Sequence, residues 1–143
     1  MSQMVVSPDV SVGQLVEEPS AFGLSVRDGG LDVAWVRAVG ELDIASAPRL
    51  EQTLRTAELR ARRLVLDLRG LTFMDSCGVH VIVDASIRAR RAGCRLVLVR
   101  GPSQVDSVFV LTDTAAALEI VDLDSGKPPV QALLQIARRD HAA

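Results

Sequence analysis

Two nearly unbroken apolar runs, RRLVLDLRGL at 62–71 and CRLVLVR at 94–100, constrain the fold more than any other feature of this sequence. Neither alternates apolar with polar residues, so neither suits a strand with one wet face; each reads as a strand covered on both sides. Between them, from Gly78 to Ala92, the period becomes helical. Val79, Ile82, Val83 and Ser86 fall on one side, and His80, Asp84, Arg88 and Arg91 on the other. A covered strand, a helix and a second covered strand form a crossover unit, and such units build parallel sheets with helices on their faces.

The flanking segments extend this pattern. FGLSVRD (22–28) and LDVAWVRAVG (31–40) read as strands joined at Gly29–Gly30, a pair suited to the positive φ of a tight hairpin. IASAPRLEQTLRTAEL (44–59) reads as a helix with Ser46 as N-cap, Pro48 in the first turn, and Leu50, Leu54 and Ala57 as its apolar stripe. Asp84 precedes Arg88 by four residues, the orientation that favours an ion pair along the second helix, and Gly93 ends that helix. Pro102 and Ser103 open a short helix with Val105, Val108, Phe109 and Leu111. LEIVDL (118–123) is a short edge strand, and Pro128–Pro129 start a last helix with Val130, Leu133, Leu134 and Ile136. The expectation is an α/β fold of order ββαβαβαβα, a mostly parallel sheet opened by a β-hairpin, in one domain over residues 21–140. Residues 1–20, with Pro8, Gly13 and Pro19, read as a partly disordered N-terminal extension.

Composition excludes several classes. A chain of 143 residues can close a core without disulfides or a structural metal, and its two cysteines, Cys77 and Cys94, show no ligand spacing. Aromatic residues make up 3%, with no Tyr and one Trp, so Val, Leu, Ile and Ala must fill the interior, and Trp35 is expected to join them. Net charge is −2, and the basic residues are arginines except for Lys127. The clusters Arg60/Arg62/Arg63 and Arg88/Arg90/Arg91 lack interleaved aromatics and read as solvated helix ends, not as a nucleic-acid surface. No basic-then-apolar leader and no run near the roughly 18 apolar residues of a membrane span occur. The expected setting is the cytoplasm, without membrane, nucleic acid or cofactor.

The segment LTFMDSCGVHVIV (71–83) places an acid, a hydroxyl, a thiol and a glycine where a covered strand gives way to a helix. In such folds functional groups gather at the carboxyl ends of strands. Asp75 or Ser76 can cap the helix, and the free amides there also welcome a negative group such as a phosphate on Ser76. Capping alone accounts for an Asp–Ser pair at a helix start, and the spacing does not separate the two readings. A nucleophilic serine fits less well, since no G-x-S-x-G elbow surrounds Ser76 and only His80 and His141 could act as base. Cys77 reads as a small packing thiol and Asp43 equally as a helix cap or a partner contact.

GELDIASAPRL (40–50) followed by LVLDLRGLTFMDSCGVHVIV (64–83) closely resembles the STAS domain family, specifically the bacterial anti-sigma factor antagonists. The resemblance spans about residues 22–123. It implies phosphorylation at Ser76, the serine after the motif aspartate, and a partner surface bordered by the Gly40–Asp43 loop. Glu41, Asp43, Asp75, Ser76, Cys77, Gly78 and His80 are the partner-binding candidates. Cys77 stands where the family usually has Ser or Thr, His80 where a small residue is common, and Asp113 where a glycine often follows the third helix; Asp tolerates the left-handed turn. The implied protein is a switch, not an enzyme. Its unphosphorylated form binds an anti-sigma factor that is also a serine kinase and so frees a sigma factor; the kinase then expels it, and a PPM-type serine phosphatase restores it. A STAS scaffold in a stress-sensing assembly, or a regulatory subunit of a lipid transporter, is the alternative. A receiver domain phosphorylated on Asp67 or Asp75 fits poorly, lacking the acidic pair after the first strand and a lysine at the end of the last.

Overall fold

The computed structural model describes residues 22–142, so the extension read at 1–20 lies outside the described residues. Strands β1 (Phe22–Gly30) and β2 (Val33–Leu42) lead into helix α1 (Ala47–Glu58). Then follow β3 (Arg63–Met74), α2 (Ser76–Arg91), β4 (Arg95–Val99), α3 (Ser103–Leu111), β5 (Glu119–Val121) and α4 (Gln131–Ala142). The five strands lie in the order β1-β2-β3-β4-β5. β1 and β2 are antiparallel and every later pairing is parallel, with β5 at one edge, as the alternation predicts.

The continuous apolar runs serve two cores. Leu64, Leu66 and Leu68 of β3, with Leu96 and Leu98 of β4, join Leu50, Leu54, Val79, Ile82 and Phe109 on the face covered by α1, α2 and α3. Val65, Val97, Val99 and Val121 point the other way, onto Ala132 and Ile136 of α4. The buried stripe of α4 is thus Ala132 and Ile136 with Leu133 beside them, while Val130 and Leu134 of the expected set are exposed. Among the described residues the second cluster gathers on β3, β4 and β5 under α4, and of β2 only Trp35 joins it. Trp35, expected in the core, lies half-buried at the margin of the second cluster.

The hairpin departs from the expected turn. Gly29 and Gly30 both belong to β1, and the chain reverses at Leu31 (φ 53°) and Asp32 (φ 61°). Gly29 is needed for packing instead, because a Cβ there would collide with Cζ3 of Trp35. The turn therefore has positive φ at two non-glycine residues, the pattern in which Asn and Gly are favoured. Leu31 is 89% exposed and loses no packing if replaced. Leu31→Asn is expected to raise stability by about 0.5–1 kcal/mol, or about 3 °C in a thermal melt.

Candidate functional site

β3 runs to Met74, beyond the expected end at Leu71, and α2 begins at Ser76, so Asp75 alone makes the transition from strand to helix. Asp75 is extended (φ −111°, ψ −174°), and its Oδ1 accepts from the backbone N–H of Cys77 (2.9 Å) and of Gly78 (3.4 Å). The capping role considered for Asp75 or Ser76 is therefore taken by Asp75. The Asp75 N–H donates to the carbonyl of Leu42 (3.1 Å), the last residue of β2, and Leu42 pairs with Met74 in the sheet. These contacts hold the loop after β2 beside the start of α2.

In that neighbouring loop, Oδ1 of Asp43 accepts from the N–H groups of Ala45 (3.0 Å) and Ser46 (3.1 Å). Ser46 occupies the N-cap position of α1, but its side chain makes no cap bond. Pro48 at the second helical position has no N–H, and the Arg49 N–H is taken by the Ser46 carbonyl (3.0 Å). The Ser46 hydroxyl instead donates to the Glu41 carbonyl (2.8 Å) and accepts from the Asp43 N–H (2.9 Å). Asp43 thus closes the helix start that Ser46 was expected to cap.

Around this frame the remaining candidates separate by exposure. Ser76 is exposed, and its hydroxyl has no partner among the described residues. Glu41 and His80 are exposed too, His80 lying one turn beyond Ser76 on the same helix face. Asp43, Asp75 and Cys77 are half-buried, and Cys77 packs against the main core as a small apolar group. Gly78 is buried: a Cβ there would lie 2.8 Å from Cδ2 of Leu42 and 2.9 Å from Cγ of Met74. Its absent side chain lets α2 sit down on the sheet end. Gly78→Ala is expected to cost about 1–3 kcal/mol by overpacking, read from a urea titration.

The expected pair of Asp84 with Arg88 does not form. Arg88 reaches across to Glu58 of α1, Nε to Oε1 at 3.1 Å and Nη2 to Oε2 at 2.7 Å, and this contact raises the guanidinium pKa. A two-point bond between half-buried helices outcompetes a single exposed contact along one helix.

Two apolar residues that pattern reading passed over belong to the same end of the sheet. Ile44, 75% exposed, sits in the loop with Asp43; Phe73, 47% exposed, is paired in register with Glu41. Their only sequence signal was their position next to the Asp43 and Asp75 turns.

Chemically, the arrangement suits a modification acceptor better than a nucleophile. A nucleophilic serine needs a base on its hydroxyl, and Ser76 has no such contact among the described residues. Its place as the first residue of a 16-residue helix puts free amides and the positive end of the dipole beside any added anion.

A family model for the STAS domain matches residues 28–122. In sequence the chain is similar to the anti-sigma-B factor antagonist of Listeria monocytogenes, with 23% identity over 104 residues that span 72% of this chain and 91% of that protein. In structure it is similar to an anti-sigma factor antagonist from Mycobacterium paratuberculosis, with TM-score 0.71 and 20% identity, covering 85% of this chain and 99% of that one. It is also similar to the anti-sigma factor antagonist SpoIIAA in its unphosphorylated form, with TM-score 0.67 and 18% identity, covering 81% of this chain and 97% of that one. For Bacillus SpoIIAA in its phosphorylated form the TM-score is 0.62 at 17% identity, with 80% and 99% covered. At these identities the structural likeness establishes a shared fold.

Proposed function

Because the chain belongs to the STAS domain family, we propose that it is an anti-sigma factor antagonist switched by phosphorylation of Ser76. Unphosphorylated, it binds an anti-sigma factor with serine-kinase activity and releases a sigma factor; phosphorylated, it lets go. A PPM-type phosphatase resets it, and the chain itself performs no catalysis. The observation that carries this reading is the exposed hydroxyl of Ser76, without a partner among the described residues, at the first position of α2 and framed by the Asp75 cap. Support comes from the names of its relatives and from SpoIIAA, whose structure is known in both phosphorylation forms. Among the described residues no helix is long and apolar enough to cross a membrane. The reading places the protein in the cytoplasm with its partners.

The contact surface in this reading joins Glu41, Ile44, Phe73, Ser76, Cys77 and His80, with Asp43, Asp75 and Gly78 setting its shape. Exposed Ile44 and Phe73 supply apolar area to bury. Phosphate adds about −1.5 to −2 charges at the centre of that surface. About 7 Å from one partner carboxylate, at an effective dielectric near 20, it costs about 4 kcal/mol before salt screening. That is roughly a thousandfold in affinity. No refolding is required, since the helix N-terminus accommodates the anion.

The direct test is to incubate the protein with a cognate anti-sigma kinase and ATP and to map the product by mass spectrometry. One phosphate on Ser76, absent from Ser76→Ala, is the expected result. A phosphate elsewhere, or none, overturns the assignment.

A further inference from the structure

Among the described residues, a groove of about 710 Å³ lies beside the second cluster, lined by β1, β2 and the loop between β5 and α4 and not by Ser76. Its floor is Trp35, flanked by Arg27 of β1 and Arg37 of β2. Arg27 pairs with Trp35 and Ser25 with Arg37, so the two arginines are diagonal neighbours on one sheet face, roughly 7–8 Å apart. Both are exposed, and neither guanidinium has a partner among the described residues. Lys127, on the facing loop, is a third cation without a side-chain partner among them.

The groove's other charges are already committed. Asp67 is bound at both oxygens by Arg69, at 2.9 Å each. Two further guanidinium donors of Arg69 hold the carbonyls of Asp124 (2.8 Å) and Lys127 (2.7 Å), which fixes the loop as a wall. Arg100 is paired with Asp106 and Asp122. What remains among the described residues is three cations without acidic partners around a half-buried indole whose N–H has no acceptor there.

Like charges placed side by side on a sheet are unfavourable unless something answers them. Charged residues can protect an edge strand from pairing with another chain, which would explain Arg27 on β1. Arg37 sits on an interior strand, where that reason fails. A volume of this size suits a small molecule, the cations call for an anion, and the indole offers a stacking surface.

We propose that this groove binds a small planar polyanion, its ring stacked on Trp35 and its acidic groups bonded to Arg27, Arg37 and Lys127. The site is separate from the switch surface, so its occupancy does not depend on phosphorylation of Ser76.

Trp35 is the only tryptophan and the chain has no tyrosine, so intrinsic fluorescence reports on the groove directly. The test titrates the full chain with trimesate, a flat benzene tricarboxylate, and in parallel with the cyclohexane tricarboxylate of the same substitution pattern. Calorimetry repeats both titrations without relying on the indole. Saturable quenching by trimesate is expected, with weaker binding of the puckered ring. Arg37→Gln and Arg27→Gln should each weaken trimesate about tenfold, as loss of a charge-assisted bond does. Both positions are exposed, so circular dichroism and melting temperature should stay at the parent values. Arg62→Gln, outside the groove, and Ser76→Asp should leave the affinity unchanged. No saturable response, equal affinity for the two rings, or unchanged affinity in the Arg27 and Arg37 variants overturns the proposal. Failure here leaves the Ser76 switch standing, because mapping the phosphate reads a different surface.

Discussion

Phosphorylated protein is expected to bind its anti-sigma partner about a thousandfold more weakly than the unmodified form, and Ser76→Asp to bind about fiftyfold more weakly. The difference follows from charge. Aspartate adds one negative charge, which costs about 2.4 kcal/mol at about 7 Å and an effective dielectric near 20. Phosphoserine adds about 1.5 to 2, which raises the penalty to about 4 kcal/mol. Ser76→Ala removes only an exposed hydroxyl without a partner among the described residues, so its affinity should stay within about threefold of the parent. Isothermal titration of the four species against the same anti-sigma factor makes the comparison. Because the penalty is electrostatic, raising salt toward 1 M, where the screening length falls to about 3 Å, should recover much of the loss for Ser76→Asp. A defect indifferent to salt would assign the switch to shape instead, and equal binding by alanine, aspartate and phosphoserine forms would remove Ser76 from the interface.

The features of this molecule that local pattern encodes were legible, and those that depend on distant partners were not. Leu64–Leu68 and Leu96–Val99 announced covered parallel strands because burial on two faces removes alternation. The helical stripe of α2 and the left-handed Gly93 after it (φ 75°) were readable for the same local reason, whereas the left-handed Asp113 (φ 59°) was expected only from the family resemblance. The Asp75–Ser76 turn was placed correctly because a strand-to-helix change is visible in the periodicity.

The hairpin turn was misplaced because Gly29 answers to the ring of Trp35 across the sheet, not to the backbone of a turn. Ser46 holds the N-cap position of α1 as expected, but its hydroxyl makes no cap bond, because Pro48 lacks an N–H and the Arg49 N–H is taken by the Ser46 carbonyl. Arg88 abandoned Asp84 for a residue thirty positions away. That Gly78 also fits α2 against Leu42 and Met74 was not legible, because both contacts come from other elements of the fold. The groove over Trp35 draws on residues from 25 to 129, which only strand pairing brings together.

Asp67 is the clearest instance of a role hidden from local pattern, and it carries the largest stability effect expected here. In sequence it interrupts an apolar strand; in the structure it is 1% exposed, next to the second core. Its carboxylate survives there because Arg69 binds both oxygens and the Arg69 backbone N–H adds a third bond at 3.0 Å. The same contact raises the Arg69 guanidinium above its usual pKa. Arg69→Met keeps the apolar stem but strands the carboxylate, and breaking one half of a buried pair costs about 3–5 kcal/mol. Against a typical domain stability of about 5–15 kcal/mol, that brings the fold near its limit. The charge, not the packing, is the fault, so adding Asp67→Asn to Arg69→Met should restore about half of the loss or more, a coupling that a denaturant double-mutant cycle measures. The single variant should also free the loop that Arg69 holds through the carbonyls of Asp124 and Lys127. Amide exchange over residues 124–130 should then quicken in both variants, because the second substitution removes the stranded charge without rebuilding the loop's anchor. An Arg69→Met protein as stable as the parent would show that water reaches Asp67 and that the pair is a surface contact in disguise.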